Sequence, residues 1–432
     1  MRKFLFISLF VLALMACSFA ANYLYVVNGT AETMSRVNIE TGAVENHVTA
    51  LGVVPNQIVY HDDRLYVVNS LSASLMVINP ANNSVINEFP LPVNSNPYNI
   101  ALSGNFAYVT GFASASVYKV NINNGSIADT YTVGLSPEGL IAYDGRLYIA
   151  NTAFDPDDYS YGQGSVSIID LSNGSTIDQV NIGKNPQFLA AGPGDFINIV
   201  CSGDYSTHTG MVYFLNPQNN TLIDSLSTGG NPGMLAISSD GIGYIAAGGW
   251  VGDGHVYSYN AVSRTILRDA SNPITVARGA IAVAVDSVGM IYSAGQMVDR
   301  ITKFDYQGNV IANYSVGDGP VSMVIIDERT YIETIDDVVP DGITLGIPYP
   351  NPFNSSVCLK LEGNCSHQDN LIIDIYNCNG KLVNKLSVWQ NHSISNNVIW
   401  PGIDYNGCDV ASGVYFARIR GTLKTVKMVL LR

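Results

Sequence analysis

Leu24-Tyr25-Val26-Val27-Asn28 and Leu65-Tyr66-Val67-Val68-Asn69 decide the fold of this chain. Each is a short apolar run with a tyrosine at its second position and an asparagine at its end. Related runs follow at intervals of about 40 to 50 residues, at 107–110, 147–151, 197–200, 243–246 and 291–294. A period of this length is typical of repeat proteins such as β-propellers. The runs therefore predict seven copies of one structural unit.

A second landmark occurs once per repeat and is a residue that opens another apolar segment. Six repeats have a proline at this position, namely Pro55, Pro97, Pro137, Pro186, Pro232 and Pro320. The remaining repeat has Arg278-Gly279-Ala280-Ile281 in its place. Between the landmarks, apolar and polar residues alternate with a period of two, as half-buried strands require. Turns such as Asn173-Gly174 join these strands into hairpins. Four antiparallel strands in each of seven repeats predict an all-β fold, a seven-bladed β-propeller over residues 21–335.

The order of the landmarks also predicts how the ring closes. The first strand, near 22–28, has the character of a second strand of a blade, and 321–326 has the character of a first strand. Together they complete one blade and leave no free sheet edge. The Tyr-Val-Val-Asn and Tyr-Val-Thr elements resemble YVTN-repeat propellers over roughly 22–335. This resemblance implies a fold and no particular activity, because propellers host many functions.

The first residues predict export. Arg2 and Lys3 precede an apolar run at 4–15, and Ser18-Phe19-Ala20 supplies small residues where signal peptidase cleaves. This pattern is typical of a signal peptide, here residues 1–20, and it is too short to span a membrane. An alternative remains open, because Leu14-Met15-Ala16-Cys17 resembles a lipoprotein box that would leave a lipid anchor on Cys17. The protein is expected to be secreted or to lie on the outer cell surface.

The charge and the cysteine content limit the classes of partner and the covalent links that the protein can have. Residues 21–341 carry 30 acidic and 11 basic side chains, so this region repels phosphate backbones and nucleic acid is not expected as a partner. Beyond the signal peptide, no apolar run approaches the length of a transmembrane segment either. In an oxidising compartment the four cysteines of the C-terminal region could form two disulfides in three alternative pairings. They are Cys358, Cys365, Cys378 and Cys408.

The C-terminal region has a different character. A linker at 336–347 leads into short strands and turns at 348–432, which predict an immunoglobulin-like β-sandwich. The stretches Pro350-Asn351-Pro352-Phe353-Asn354, Ser412-Gly413-Val414-Tyr415 and 427–432 closely resemble type IX secretion sorting domains and the immunoglobulin-like domain of flagellar hook-capping proteins. The resemblance implies export machinery as a partner. The residues that this export machinery would recognise are Gly413, Tyr415, Lys427 and Arg432. Tyr415 and Trp400 also fit as aromatic residues of the core.

Loops on one face of the propeller are the candidate ligand site. Inner-strand entries ring the channel with Gln57, Tyr98, Glu138, Gln187 and Arg278. Three consecutive repeats have long loops at 153–164, 203–210 and 248–255. These loops carry Asp155, Asp157, Asp158, Tyr161, Asp204, His208, Trp250, Asp253 and His255. Acids with aromatics suit sugars or calcium. Asp155 and Asp157 are the calcium candidates, but the loop lacks the glycine and glutamate of an EF-hand.

The sequence contains no motif for established catalytic chemistry. It shows no serine elbow, no phosphate-binding loop and no cysteine–histidine pair with nucleophile spacing. The favoured interpretation is a non-enzymatic binding or interaction protein without a cofactor, taking a protein or glycan ligand on the propeller face. An extracellular hydrolase or lyase that uses the acidic loops is the alternative, and a surface-layer or adhesion role is a third.

Overall fold

The computed structural model describes residues 22–192, 195–249, 251–327, 344–362, 371–377, 382–388, 397–404, 409–419 and 425–432. The predicted signal peptide, most of the linker, and Trp250, Cys365, Cys378 and Cys408 lie outside the described residues. The chain divides into two compact units, one ending at Asp327 and one beginning at Glu328. Apart from one 3-10 turn at Gln296–Val298, every element of the described residues is a strand. The all-β prediction is confirmed.

The described part of the first unit contains seven large antiparallel sheets, six with four strands and one with five, here called blades 1 to 7. Each blade has an inner, a second, a third and an outer strand. In that order they are Pro320–Ile326, Tyr23–Asn28, Thr33–Asn38 and Val44–Ala50 in blade 1; Pro55–His61, Arg64–Asn69, Ser74–Asn79 and Ser84–Pro90 in blade 2; Pro97–Ser103, Phe106–Gly111, Ser116–Asn121 and Ile127–Thr132 in blade 3; Pro137–Tyr143, Arg146–Asn151, Ser165–Asp170 and Thr176–Asn181 in blade 4; Pro186–Gly192, Phe196–Cys201, Met211–Asn216 and Thr221–Ser227 in blade 5; Leu235–Ile237, Ile242–Ala246, Gly254–Asn260 and Thr265–Arg268 in blade 6; and Ala280–Val285, Ile291–Gly295, Arg300–Phe304 and Val310–Ser315 in blade 7.

Two small elements lie outside this pattern. Blade 6 carries a fifth strand, Ile274–Val276, which pairs with Gly254–Asn260. The loop between the second and third strands of blade 4 contains a short hairpin, Phe154–Asp155 with Ser160–Tyr161. The hairpin belongs to the long loop at 153–164, whereas the fifth strand lies between the outer strand of blade 6 and the inner strand of blade 7.

The inner strands close into a ring. Each contacts the inner strand of the next blade, and the inner strand of blade 1 contacts those of blades 7 and 2. In blade 1, Pro320–Ile326 pairs antiparallel with Tyr23–Asn28, with Tyr23 opposite Ile326. The two ends of the propeller chain therefore share one sheet, and the closure leaves no unpaired edge between them.

The core lies between neighbouring blades. Tyr66 and Val77 of blade 2, for example, pack with Ile100 and Val109 of blade 3 in one buried cluster. The second strand of each blade must therefore present apolar side chains to both of its faces, whereas outer strands such as Ser84–Pro90 are mostly exposed. This explains why the repeat motif is a continuous apolar run and not a strict alternation.

The asparagine that ends the repeat motif joins two strands of its blade. Asn28 Nδ2 donates to Ser35 Oγ at 2.8 Å, and Asn151 Nδ2 donates to Ser167 Oγ at 2.9 Å. Asn69 also packs against the loop that enters its blade, because a Cβ atom on Gly52 would lie 2.7 Å from its side chain. The motif thus supplies both the apolar packing and a buried polar link.

The opposite face is built from one repeated turn. In six blades the last residue of the third strand, and in blade 7 the residue after it, is an asparagine or aspartate whose Oδ1 accepts the N–H group two residues later, an Asx turn. These residues are Asn38, Asn79, Asn121, Asp170, Asn216, Asn260 and Asp305. This regularity leaves variation to the loops on the other face.

Substitution of a glycine at the crowded ring centre should destabilise the propeller. A Cβ atom on Gly139 would lie 2.2 Å from the backbone oxygen of Gln187 in the next blade, a clash that no side-chain rotation relieves. We expect Gly139→Ala to lower the free energy of unfolding by about 2–3 kcal/mol in urea denaturation. Gly233→Ala is the matched control, because its Cβ atom would meet nothing closer than 3.6 Å. Equal stability of the two variants would contradict this packing.

The second unit is a two-sheet sandwich over its described residues. One sheet contains Thr344–Leu345, Val357–Glu362 and Asn397–Trp400, and the other contains Leu382–Val388, Leu371–Asn377, Gly413–Ile419 and Thr425–Leu430. Residues of both sheets share one core around Trp400, whose ring centroid lies 5.0 Å from that of Tyr415 and 5.6 Å from that of Phe353. Phe353 also bridges to the last strand, since its N–H donates to Val429 O at 2.9 Å.

Candidate ligand site on one face of the propeller

Three consecutive blades bring their strand entries together. The residue after the opening proline is Tyr98 in blade 3, Glu138 in blade 4 and Gln187 in blade 5. The inner strands of these blades contact one another in this order. Each opening proline pairs with the last residue of the second strand, so the loops to the third strands start at the same edge. Strand entries and loops therefore form one surface.

A row of five aromatic rings crosses this surface. Their neighbouring centroids are 5.9, 6.0, 5.2 and 5.8 Å apart, which is contact distance for aromatic pairs. We call this set the aromatic row; in order it consists of Tyr98, Phe112, Phe154, Tyr161 and Tyr205. The first four rings are half-buried, and Tyr205 is 55% exposed. The row joins the inner strand and loop of blade 3 to the loops of blades 4 and 5.

Glu138 is buried among the phenols of this row. Its residue is 6% exposed, and its Oε2 atom has no hydrogen-bond partner. The charge of Glu138 is the main cause that raises the pKa of Tyr98, and it also helps to raise the pKa of Tyr161 and Tyr205. Burial raises the pKa of Glu138 itself from 4.5 to about 8. At neutral pH this carboxyl group is therefore mostly protonated.

Asn185 adds a second unsatisfied group. It is fully buried, and neither its side-chain oxygen nor its nitrogen has a partner in good hydrogen-bond geometry. Burial raises the pKa of Tyr161 and Tyr205, and a weaker contact with Asn185 opposes this rise. Gln187 is satisfied, because Ser202 Oγ donates to its Oε1 at 2.7 Å. Unsatisfied polar atoms beside aromatic rings are a typical feature of a ligand site.

The loop aspartates mostly hold their own loops. Asp204 accepts the backbone N–H groups of Thr207 and His208, each at 2.7 Å, and lies 2.6 Å from His208 Nδ1. These hydrogen bonds, the His208 N–H first, hold the pKa of Asp204 well below its usual range. Asp155 Oδ1 accepts the N–H of Asp157, and Asp158 Oδ1 accepts that of Ser160, each at 2.9 Å.

No group of three or more histidine, cysteine, aspartate or glutamate side chains is arranged to hold a metal in the part of the chain that the structure describes. Calcium binding by Asp155 and Asp157 stays a prediction.

The other predicted residues lie elsewhere. Asp253 and Arg278 line a cavity of about 340 Å³ between blades 6 and 7, together with Arg300. His255 belongs to the third strand of blade 6, where its carbonyl accepts the N–H of Ala247 at 2.9 Å. Gln57 accepts a hydrogen bond from the Ser322 hydroxyl in the neighbouring blade. Trp250 lies outside the described residues.

Sequence reasoning missed Phe112, Phe154 and Asn185. Loop length was the signal used, and the loop that carries Phe112 is short. A better signal is position in the repeat, because Phe112 directly follows a second strand and Phe154 and Tyr205 follow theirs within a few residues. Asn185 directly precedes an opening proline and shows no such signal.

The predicted sorting residues have different environments. Tyr415 is buried, and its hydroxyl donates to Ala411 O at 2.7 Å. The side chain of Arg432 pairs with Asp409 at 2.6 Å and donates to Gly402 O at 2.9 Å. Lys427 is exposed and Gly413 is half-buried. Tyr415 is thus a core aromatic, and Lys427 presents its charge at the surface.

The described cysteines form no disulfide with each other. Cys201 is buried in blade 5, where desolvation raises the pKa of its thiol, and Cys358 is half-buried in the second unit. The predicted partners of Cys358 lie outside the described residues.

Residues 348–431 match a known family, the secretion system C-terminal sorting domain. The sequence-based resemblance of this region is confirmed, and the chain is accordingly a secreted or cell-surface protein. The match implies interaction with secretion machinery. A search of curated proteins gave no match. Within the described residues, no helix has the length and apolar character needed to cross a membrane.

Solved structures similar to this chain are propeller-type folds. A proposed 6-phosphogluconolactonase from Bacteroides uniformis is 14% identical, with a TM-score of 0.56 over 71% of this chain and 99% of that one. A functionally unknown protein from Desulfotomaculum acetoxidans is 16% identical, with a TM-score of 0.54 over 71% and 99%. A quinoprotein alcohol dehydrogenase-like protein from Bacteroides thetaiotaomicron is 14% identical, with a TM-score of 0.53 over 70% and 77%. At this identity the likeness shows the fold alone.

Proposed function

We propose that this chain, which carries a sorting domain at 348–431, is an exported binding protein whose ligand lies on the aromatic row. The observation that carries the proposal is the buried Glu138, whose Oε2 atom has no partner and whose charge interacts with the partly exposed Tyr98, Tyr161 and Tyr205. Aromatic surface with few, well-placed polar groups is typical of binding sites for small molecules and sugars. The propeller provides a rigid support for this surface because its ring is closed.

A binding role accounts for the polar groups better than hydrolysis does. Carboxylate catalysis at a glycosidic bond needs two placed carboxyl groups. Asp204 is the other acid of these loops with a strongly shifted pKa, and its oxygens are engaged by Thr207 and His208. Glu138 is therefore the carboxyl group that the site offers to a ligand.

Removal of the central ring should weaken binding. A glycan array first identifies the oligosaccharide that the full-length wild-type protein retains. We expect Phe154→Ala to reduce the affinity for this oligosaccharide at least tenfold, because stacking on a partly buried aromatic ring contributes about 1.4 kcal/mol or more. Tyr306→Ala is the matched control, since Tyr306 is 69% exposed in a turn of the opposite face. Thermal melts of both variants check that the fold is intact.

The same assay separates binding from catalysis. Ligand recovered after incubation with the wild-type protein should have an unchanged mass. Conversion that Phe154→Ala abolishes would favour the hydrolase or lyase alternative. Retention of affinity in Phe154→Ala, with loss in a variant elsewhere, would place the ligand off the aromatic row.

A further inference from the structure

We propose that the ligand of the aromatic row carries an ammonium group, which binds among Tyr98, Tyr161 and Tyr205 against the carboxylate of Glu138. This inference rests on the proposed binding function and adds the chemical class of its ligand. It follows from three features of the site: an unpaired buried acid, electron-rich rings around it, and the charge of the unit.

The unpaired acid comes first. Glu138 Oε2 has no hydrogen-bond partner, and burial is the one cause that shifts the pKa of its carboxyl group. The basic groups of the neighbouring loops are engaged elsewhere. Lys184 Nζ donates to Tyr161 O at 2.9 Å and lies 3.9 Å from Asp204, and His208 pairs with that same aspartate. A buried carboxylate without a counter-charge is costly, and a cationic ligand would supply that charge.

The rings favour the same ligand. The faces of tyrosine rings attract cations, most strongly where water is excluded, and aromatic cages recognise quaternary ammonium groups in this way. Tyr161 lies 5.8 Å from Tyr205 between ring centroids, and both phenols interact with the Glu138 charge. A neutral sugar could stack on the aromatic row and donate a hydroxyl group to Glu138, but it would leave the charge of the carboxylate without a counter-charge.

The charge of the unit also fits. Residues 21–341 contain 30 acidic against 11 basic side chains, so the surface attracts cations and repels anions. Asp155, Asp157 and Asp158, in the blade 4 loop of the aromatic row, are exposed and add to this potential. The opposite charge class, an anionic ligand, would meet repulsion both at a distance and at Glu138.

Binding should therefore depend on pH. An ammonium group needs the ionised form of Glu138, whose pKa is about 8. The ionised fraction rises about tenfold between pH 7 and pH 9, and affinity should rise with it. The phenols of Tyr98, Tyr161 and Tyr205 stay neutral there because their pKa values are raised. Tetramethylammonium is a suitable probe because it does not titrate.

The test is calorimetric titration of the full chain with tetramethylammonium chloride, with sodium chloride at equal ionic strength in the reference. We expect affinity about tenfold higher at pH 9 than at pH 7. Glu138→Gln should reduce affinity at pH 9 at least tenfold and remove the pH dependence. Asp144→Asn, which removes an exposed acid from the turn between the inner and second strands of blade 4, should bind and titrate like the wild type.

A second pair of ligands separates this inference from the proposed function. A glucosamine trimer with trimethylated nitrogens and the N-acetylated trimer present the same sugar rings, but only the first carries ammonium groups, and these do not titrate. Tighter binding of the glucosamine trimer that depends on Glu138 supports the inference. Equal binding of both trimers, or unchanged tetramethylammonium affinity in Glu138→Gln, overturns it and leaves a neutral-glycan site standing. Absence of tetramethylammonium binding also overturns it, and absence of tetramethylammonium binding together with absence of any ligand on the array overturns the binding function.

Discussion

At pH 9 the Glu138→Gln variant should be more stable than the wild-type protein. The pKa of Glu138 rises from 4.5 in the unfolded chain to about 8 in the fold because of burial. The folded state therefore holds a proton that the unfolded state releases, and the free energy of unfolding falls as pH rises through this window. Each pKa unit corresponds to about 1.4 kcal/mol, so the wild type should lose about 4 kcal/mol between pH 5 and pH 9.

Urea denaturation at pH 5, 7 and 9 measures this loss. The glutamine variant lacks the ionisable group, so its advantage should grow with pH and reach several kcal/mol at pH 9. Glu88→Gln is the matched control, since Glu88 is exposed on an outer strand and its replacement should not alter the pH dependence. Parallel stability curves for the wild type and Glu138→Gln would show that the carboxyl group is solvated in the protein.

This loss of stability at alkaline pH indicates that Glu138 serves a purpose other than stabilising the fold. A glutamine would fit the same space without an ionisation penalty, so stability does not explain the presence of Glu138. A site that sacrifices stability for an unpaired acid is expected where the acid serves binding. An ammonium ligand that pairs with Glu138 should also restore the lost stability at alkaline pH.

The second large effect concerns the C-terminal unit. Trp400 is fully buried, and its ring contacts those of Phe353 and Tyr415 in a core shared by both sheets. Truncation of so large a core side chain costs about 3–5 kcal/mol. A unit of roughly one hundred residues has a total stability of about 5–15 kcal/mol. Trp400→Ala should therefore leave much of this unit unfolded and prevent export.

Expression in a host that possesses the cognate secretion machinery tests this prediction. Full-length protein should disappear from the culture medium and the cell surface and accumulate inside the cell envelope. Ile399→Ala is the control, because Ile399 neighbours Trp400 on the same strand but is 62% exposed. Normal export of Trp400→Ala would mean that the machinery reads a short linear segment and not the folded sandwich.

Much of the fold is predictable because the same sequence pattern occurs once in each of the seven blades. The burial of every tyrosine-containing strand between two blades requires a continuous apolar run, and that requirement leaves a visible pattern. The landmark prolines open inner strands in five blades. In blade 6, Pro232 lies before the inner strand, which begins at Leu235. Gly233 donates a backbone hydrogen bond to Ala246 and Met234 accepts one from it, outside the strand.

The site was less predictable for a physical reason. Loop length and acid content indicated the face on which Tyr98, Glu138 and Tyr161 come together, and a ligand there stays a prediction. Side chains such as Asp204 satisfy their own loop, however, and a sequence does not show whether a carboxylate is already engaged. Asn185 acquires its role only from burial, which follows from the packing of neighbouring blades.

The pairing of Tyr23 with Ile326 has a mechanical consequence. Both ends of the propeller chain leave from one corner of blade 1, since these two residues are register partners at the end of their strands. Tension applied between the two termini would open the hydrogen bonds of this pair one at a time, as in a zipper. Tension on the C-terminal end would enter at Ile326 and act on the same hydrogen bonds, because Pro320–Ile326 pairs within its sheet with Tyr23–Asn28. A propeller closed in this way is expected to open first at blade 1 under load.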